Sequence, residues 1–414
     1  MSQESSFQSS RRQWLRRVAL APLAAALPLK SIAEDKLPDA RAFEFEGTYL
    51  NGAFMHPMSL RTAEAARAYM SRRVRSNQET DDLMGTHRTE AARLFAKIIH
   101  AQPEDLTWVP STMAGENFVT AGLGYPASKA PIVTDAFHFH GSLYLYHQLA
   151  SQGVPVTTVK PVNNRIELED LDKAIRPGTG LVAVSLVSAT TGFQHDLRKI
   201  CELAHSRGAM VFADIIQAAG AVPIDVVESG VDFCACSSYK WLMADFGAGF
   251  LYVRKDRLER MKRSQYGFRQ IEGSNSHVFP FDTPGDKLFD FTAREDATGK
   301  FQVGTLSNAT IAALKESLAY IDSTGVQAIE AWRKPFLRKL QEELPRYGYL
   351  PMTPVESVSP IVVFALEHAA ERLQRKLEQA QISISVYPSR IRISPSVYNT
   401  MDDIEKLISV LKTV

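Results

Sequence analysis

Short apolar runs alternate with segments of helical spacing through the middle of the chain. The apolar runs lie at 131–134, 154–159, 181–187, 210–213, 231–236 and 249–253. Between them, 142–152, 168–175 and 197–207 place apolar residues at helical spacing. Residues 181–187 are almost continuously apolar, as in a strand that is buried on both faces of a parallel sheet. Repeated strand–helix–strand units predict an α/β fold with a mainly parallel sheet between helices.

The pattern changes after residue 260. Residues 265–300 are polar and dotted with Gly and Pro, which predicts a long loop, and long loops in compact domains are usually functional. Beyond them, helical spacing at 310–323, 326–344, 370–379 and 401–414 surrounds apolar runs at 361–366 and 391–393. This last part of the chain is predicted to form a smaller α+β domain.

The first 33 residues have the layout of an export signal. Paired arginines, Arg11 and Arg12, precede an apolar stretch at 18–29, and small residues then end at Ala33. The stretch is too short for a transmembrane helix, which needs about 20 residues. This order of elements resembles a bacterial twin-arginine signal cleaved after Ala33, and predicts export of the folded protein to the periplasm by the twin-arginine translocation machinery. The alternatives are a basic tail and an uncut membrane anchor.

Composition removes several classes of function. Lys+Arg 47 against Asp+Glu 46 gives a net charge of +1, which gives no support to nucleic-acid binding. Three cysteines in 414 residues exclude a fold built on disulfides. Cys201, Cys234 and Cys236 also lack the spacing and the histidine partners of a zinc site, so no metal site is predicted.

Candidate chemistry lies where predicted strands end. In open parallel sheets, ligands bind at the carboxyl ends of strands. Asp214 follows the run at 210–213, and Lys240 follows the run at 231–236 among aromatic residues. Burial lowers the pKa of a lysine, and a neutral amine attacks carbonyl carbons. Alone, Asp214 could be a helix cap and Lys240 a surface lysine; together they form a pattern with a specific use.

The region 181–254 resembles the class V aminotransferase family of fold-type-I enzymes that depend on pyridoxal 5′-phosphate (PLP). This family also holds cysteine desulfurases and isopenicillin N epimerase. The likeness extends upstream to 49–53 and downstream to 398–400. Its central motifs are Ala213-Asp214-Ile215-Ile216-Gln217 with Gly220, Ser237-Ser238-Tyr239-Lys240-Trp241-Leu242, and Gly247-Ala248-Gly249-Phe250-Leu251-Tyr252-Val253-Arg254.

The resemblance implies a domain organisation. It expects a large PLP-binding domain at 61–308 around a sheet of the seven-stranded type. An N-terminal arm at 34–60 would join a small α+β domain at 309–414.

The resemblance also assigns the residues that would hold PLP. Lys240 would bind it covalently as a Schiff base and later move a proton at the substrate α-carbon. Asp214 would pair with the pyridine nitrogen, and Gln217 would bind the ring hydroxyl oxygen. Tyr239 stands where the family usually has histidine. Within the aromatic segment 137–140, Phe139 is favoured as the ring that stacks on PLP and His138 as its neighbour, and a register shifted by one residue stays open.

The phosphate and the substrate have their own predicted residues. Ser111, Thr112 and Met113 would offer backbone N–H groups at a helix N-terminus, although an ordinary helix cap would have the same sequence. Ser237 matches the family's phosphate-binding hydroxyl. Gly304 and Thr305 match a loop that reaches the phosphate of a neighbouring subunit, which implies a homodimer.

Arg392 matches the arginine that grips the substrate α-carboxylate, and Asn51 is placed beside it as a second substrate-binding residue. The alternative for Arg392 is a salt bridge. Ala189 stands where the family commonly has an asparagine. Residues 383–394 contain no cysteine and leave little room for the loop that carries the nucleophilic cysteine of desulfurases. Desulfurase activity through a protein persulfide is therefore disfavoured.

The sequence predicts the cofactor more firmly than the reaction. The prediction is an aminotransferase-like enzyme that acts on a small-molecule amino acid or related amine. An epimerase, which needs a second acid/base group such as Tyr239, His138 or His140, and a C–S lyase remain open. A catalytically silent PLP-fold binding protein is the alternative outside enzymes, and the presence of Lys240 and Asp214 counts against it.

Overall fold

The structure is a computed structural model that describes residues 37–75 and 78–413. The predicted export signal and its cleavage site lie outside these residues. No helix in the described part of the chain is long and apolar enough to cross a membrane.

Helices and strands alternate through most of the described chain. The strands are β1 (Thr48–Tyr49), β2 (Leu106–Val109), β3 (Ile132–Asp135), β4 (Val156–Val159), β5 (Leu181–Ser185), β6 (Met210–Asp214), β7 (Phe233–Ser237), β8 (Gly249–Val253), β9 (Ile271–Ser276), β10 (Phe289–Ala293), β11 (Leu350–Pro351), β12 (Val362–Ala365), β13 (Ile382–Ser383), β14 (Ser385–Tyr387) and β15 (Arg390–Ile393). The α-helices are α1 (Leu60–Arg75), α2 (Gln78–Ile98), α3 (Thr112–Gly122), α4 (His140–Ser151), α5 (Leu168–Ala174), α6 (Leu197–Ser206), α7 (Val226–Ser229), α8 (Ala297–Phe301), α9 (Asn308–Thr324), α10 (Val326–Glu343), α11 (Ala369–Gln379) and α12 (Met401–Leu411).

A seven-stranded sheet forms the centre of the large domain. Its strand order is β2-β8-β7-β6-β5-β3-β4, and only β8 runs antiparallel to its neighbours β7 and β2. Every residue of β5, β6 and β7 is buried, which explains why the sequence of these strands is apolar at successive positions. The predicted α/β fold with a mainly parallel sheet is confirmed.

The C-terminal part has a core of its own. The four-stranded antiparallel sheet β11-β12-β15-β14 packs against α10, α11 and α12, as predicted for a smaller α+β unit. Near the N-terminus, β1 pairs in parallel with β13 of this unit. Helix α9 packs against α1 and α2. The residue numbers proposed for the domain boundaries stay predictions.

The region 265–300 is not the loop that the sequence predicts. It contains an antiparallel hairpin in which β9 pairs with β10, followed by α8. Every residue of β10 is exposed, so neither face of this strand is buried although apolar and polar residues alternate along it. Phe281, in the connection between the two strands, is fully exposed at 106%.

Candidate active site

The carboxyl ends of neighbouring strands bring the predicted catalytic groups to one edge of the sheet. Asp214 is the last residue of β6 and pairs in register with Ala235 of the adjacent strand β7. Lys240 follows three residues after Ser237, the end of β7. The charges of Lys240 and Asp214 act on each other's pKa, so the two residues are close in space as well as at one edge.

Lys240 has the surroundings that a nucleophilic amine requires. It is only 8% exposed. Its burial lowers its pKa from 10.5 to about 8, the charge of Asp214 opposes this shift, and the charge of Arg392 adds to it. Because a neutral amine attacks carbonyl carbons, burial prepares Lys240 to bond with an aldehyde.

Asp214 is a buried carboxylate without a cation paired to it in the described chain. It is 4% exposed, and its Oδ1 accepts the backbone N–H of Ile216 at 2.9 Å. Burial raises its pKa to about 6, and the charge of His138 lowers it in part. A cationic ring nitrogen near this carboxylate would stabilise its ionised form.

Gln217 is held from both ends of its amide. Its Oε1 accepts the indole N–H of Trp241 at 3.0 Å, and its Nε2 donates to the carbonyl of Ala53 at 3.0 Å. An amide nitrogen carries two N–H groups, so the second one is left for a ligand. The side chain is 1% exposed. Trp241 therefore fixes the orientation in which Gln217 meets the site.

The predicted phosphate residues come together where α3 begins. The backbone N–H of Thr112 donates to Ser237 Oγ at 2.8 Å, and the N–H of Ser237 donates to Thr112 Oγ1 at 3.0 Å. Ser111 caps the helix, and its Oγ accepts from Ala114 N at 3.1 Å. A Cβ on Gly115 would lie 2.9 Å from the Cβ of Ala235, so glycine lets α3 approach β7 closely. The arrangement is a helix N-terminus of the kind that binds phosphate.

Phe139 and His138 occupy very different environments. Phe139 is the N-cap residue of α4 and is 40% exposed, whereas His138 is 1% exposed. A Cβ placed on Gly141 would lie 2.9 Å from the Phe139 ring and 3.1 Å from the Met113 sulfur, so these side chains gather at one point. Which aromatic residue of 137–140 stacks on PLP stays a prediction.

Sequence reasoning missed Glu116, a fully buried carboxylate on α3. It accepts hydrogen bonds from His138 Nε2 at 3.0 Å, Tyr146 Oη at 2.6 Å and Ser142 Oγ at 2.5 Å. Burial alone would raise its pKa, but His138 and these hydrogen bonds lower it overall. Burial likewise acts to lower the pKa of His138, but Glu116 raises it above 6.5. His138 Nδ1 lies 2.8 Å from Ser185 Oγ, so both ring nitrogens have partners. The only sequence signal was an acidic residue in an apolar helix.

Arg392 is a buried cation without an acidic partner among residues 37–75 and 78–413. It is 5% exposed, its Nη1 donates to the carbonyl of Ala189 at 3.0 Å, and its Nη2 donates to Ser385 Oγ at 3.1 Å. Its Nε is buried and has no hydrogen-bond partner. Ser385 in turn donates to Asn51 Oδ1 at 2.7 Å, which brings Asn51 into the same network. The salt bridge considered as the alternative for Arg392 is not found in the described chain.

Three more predicted residues have contacts of their own, and their roles toward PLP stay predictions. The ring of Tyr239 stacks on Phe246 with centroids 4.3 Å apart, and Lys240 Nζ lies 5.8 Å from the Tyr239 centroid. Gly304 and Thr305 are exposed, and Thr305 Oγ1 accepts from Arg269 at 3.4 Å.

The cysteines are far from reactive. Cys201, Cys234 and Cys236 are all buried and free. Burial is the largest cause that raises the pKa of each thiol. Because the thiolate is the reactive form, these residues are poor nucleophiles.

Comparison with known proteins identifies the family. The family model described as "Aminotransferase class-V" matches residues 57–407. This chain belongs to the class-V aminotransferase family. A relative from Bacillus subtilis named "Uncharacterized aminotransferase YcbU" is 26% identical over 322 residues, 78% of this chain and 82% of the relative. A "Probable cysteine desulfurase" from Halalkalibacterium halodurans is 27% identical over 396 residues, 88% of this chain and 92% of the relative.

Solved structures share the fold of this class-V enzyme. A cysteine desulfurase from Thermococcus onnurineus superposes with a TM-score of 0.79 at 21% identity, covering 91% of this chain and 98% of that one. A mutant of C-DES, with glycine covalently linked to its PLP cofactor, gives a TM-score of 0.78 at 20% identity, with coverages of 89% and 96%. The cofactor of this class-V enzyme is PLP.

The residues present fit that cofactor. Asp214 has no cationic partner in the described chain, and the side-chain amine of Lys240 forms no hydrogen bond or ion pair there. Thr112 and Ser237 form a polar cradle at the N-terminus of α3. A lysine for the aldehyde, a carboxylate for the ring nitrogen and a helix N-terminus for the phosphate are the groups that PLP requires.

Proposed function

We propose that this class-V enzyme is a C–S lyase that cleaves the carbon–sulfur bond of a cysteine derivative. The observation that carries the proposal is the state of the thiols in the described chain, all of which are buried and have a raised pKa. Curated relatives bear the name cysteine desulfurase, which favours a substrate with a C–S bond. Without a reactive protein thiol to receive sulfur, the sulfur group leaves as a free thiol.

The proposed reaction is a redox-neutral elimination. A cysteine S-conjugate and one water give the free thiol, pyruvate and ammonia; the Cα–H and C–S bonds break, and the departing sulfur gains a proton. PLP, when bound, supplies the electron sink for the Cα carbanion. Arg392 binds the substrate carboxylate, and Lys240 in its neutral form takes the Cα proton. Ser385 and Asn51 hold the Arg392 guanidinium in place.

Transamination is the second candidate. The Bacillus subtilis relative named as an aminotransferase favours it, and its proton transfer needs only Lys240. Epimerisation needs a second acid/base group, and His138 is engaged at both ring nitrogens by Glu116 and Ser185.

One experiment separates these reactions. Purified protein loaded with PLP is expected to show the absorbance of lysine-linked PLP, which Lys240→Ala abolishes. Incubation with S-ethylcysteine is expected to release ethanethiol and pyruvate in equal amounts. Conversion of the cofactor to pyridoxamine phosphate instead would support transamination, and inversion at Cα would support an epimerase. If the protein takes up no PLP, all of these candidate reactions are refuted.

We also propose that the enzyme is exported by the twin-arginine pathway and works as a homodimer in the periplasm. In this arrangement Gly304 and Thr305 reach the phosphate of the neighbouring subunit. Replacing Arg11 and Arg12 with lysine is expected to retain the protein in the cytoplasm. Sedimentation of the PLP-loaded protein is expected to give twice the chain mass. A monomer with full activity would contradict the shared site.

A further inference from the structure

The hairpin β14–β15 presents two different faces. In its register Ser385 lies opposite Arg392, and Tyr387 lies opposite Arg390. Side chains two apart along a strand point to the same face. Ile391 and Ile393 are fully buried in the core of the small domain. Arg390 and Arg392 therefore share the opposite face.

This second face is the one that looks toward the candidate active site. Arg392 donates to the carbonyl of Ala189 in the large domain. Ser385 on the neighbouring strand contacts both Arg392 and Asn51. Since Arg390 and Tyr387 lie one pair further along the same face, they continue the surface that begins at Arg392.

Arg390 has no anionic partner in the described chain. Its guanidinium lies over the Tyr387 ring, 4.3 Å from the centroid, a position that orients the planar cation. Its charge reaches Arg392: burial is the main cause that lowers the pKa of Arg392, and Arg390 lowers it further. Two cations therefore stand near each other on a face that meets the candidate active site, and neither has a carboxylate partner among the residues that the structure describes.

The two arginines differ in depth. Arg392 is buried, Arg390 is half-buried, and residues 388–389 of the connecting turn are exposed. Positions two apart on a strand are separated by about 7 Å. For a substrate whose α-carboxylate lies on Arg392, Arg390 is the next cation along this face toward solvent.

We propose that Arg390 binds an anionic group at the end of the substrate side chain. The inference rests on the proposed function of this site and names the class of its substrate: an α-amino acid with a terminal carboxylate or a comparable anion on its side chain. For the C–S lyase, this is a cysteine derivative whose sulfur substituent carries a carboxylate. Arg390 is thus a specificity residue, and Tyr387 is its positioning residue.

The test uses amino acids that bind but do not react. α-Methylaspartate and 2-methylalanine lack a Cα proton, and they differ in the side-chain carboxylate. Their dissociation constants are measured by titrating the PLP-loaded enzyme and following the absorbance of the cofactor. Arg390→Gln is expected to weaken the binding of α-methylaspartate about 10- to 100-fold, the loss typical of a charge-assisted hydrogen bond. The dissociation constant of 2-methylalanine is expected to change by no more than about twofold.

Controls separate this role from a structural one. Arg375→Gln removes the same charge from an exposed position of α11 in the same small domain, and is expected to leave both constants unchanged. Arg390→Lys keeps the charge and is expected to retain part of the preference for α-methylaspartate over 2-methylalanine. If Arg390 only packs on Tyr387, Arg390→Gln will lower the melting temperature and leave the ratio of the two constants unmoved, which would overturn the proposal.

A second readout depends on turnover. Pyruvate formation from S-carboxymethylcysteine and from S-ethylcysteine gives two values of kcat/KM, whose ratio is expected to fall about 10- to 100-fold in Arg390→Gln. If the non-reactive pair discriminates and neither cysteine derivative reacts, the C–S lyase assignment is wrong and the role of Arg390 stands. If both derivatives react at a ratio that Arg390→Gln does not change, the lyase stands and the role of Arg390 is wrong.

Discussion

Replacing Lys240 with methionine is expected to stabilise the PLP-free protein while it abolishes the covalent bond to PLP. Lys240 is buried, and its pKa falls from 10.5 to about 8, a difference of 2.5. At 1.36 kcal/mol for each pKa unit, the folded protein disfavours the charged ammonium by about 3 kcal/mol. Methionine has a similar length and carries no charge, so it removes this cost.

The pH dependence of this stability gain tests whether the buried charge of Lys240 causes it. Because the folded-state pKa of Lys240 is lowered, the unfolded chain binds more protons than the folded one between pH 8 and 10.5. The stability contribution of Lys240 is therefore most unfavourable below pH 8 and is relieved as the pH rises to 10.5. The advantage of Lys240→Met is expected to be about 3 kcal/mol at pH 7 and to disappear toward pH 10.5.

Urea unfolding of PLP-free protein, followed by tryptophan fluorescence at several pH values, measures this difference. Lys160→Met, at an exposed position, is the matched control and is expected to change the midpoint little at any pH. A Lys240→Met protein that is no more stable than the wild type at pH 7 would refute the reasoning. So would a gain that stays constant from pH 7 to pH 10.

Three further predictions test other parts of the site. Thr112→Val removes the hydroxyl that meets Ser237, and is expected to weaken PLP about tenfold in a fluorescence titration; unchanged affinity would remove Thr112 from the phosphate site. Glu116→Gln is expected to destabilise the protein by about 3–5 kcal/mol in urea, because it leaves a buried histidine cation without its partner. The loss should be largest between pH 4.5 and 6.5: the lowered pKa of Glu116 stabilises the fold above 4.5, and the raised pKa of His138 does so fully below 6.5. ¹⁵N NMR should show His138 losing its imidazolium form in Glu116→Gln; a loss of stability that does not vary with pH would contradict the ion pair. Iodoacetamide is expected to leave all three buried thiols unmodified in the native protein and to label them in urea; rapid labelling of any thiol before unfolding would contradict a fold without a reactive cysteine.

The sheet could be predicted from sequence because strands that are buried on both faces are apolar at successive positions. In β5, for instance, each residue from Leu181 to Ser185 is buried, and the run is correspondingly apolar. The β9–β10 hairpin has no such apolar run, because most of its side chains face solvent. Its formation depends on backbone pairing, such as Phe289 with Ser276, that residue type does not reveal.

The roles of individual residues could be predicted better than contacts between residues that are distant in sequence. Lys240 and Asp214 follow directly from strand ends and from the family resemblance. The contact of Thr112 with Ser237 spans 125 residues, and only the resemblance linked them before the structure. Glu116 was missed because its partners come from α4 and from the segment that precedes it, which the sequence does not place against α3. The absence of an acid beside Arg390 and Arg392 in the described chain likewise depends on packing.

The pairing of β1 with β13 has a consequence for how the chain is made. Thr48 pairs with Ile382, and Asn51 contacts Ser385 across 334 residues of sequence. During synthesis β1 leaves the ribosome long before its partner strand β13. A nascent or truncated chain therefore carries an unpaired strand edge, which is prone to aggregation. Pairing of the arm is therefore a late event in folding, because it has to wait until β13 has been synthesised.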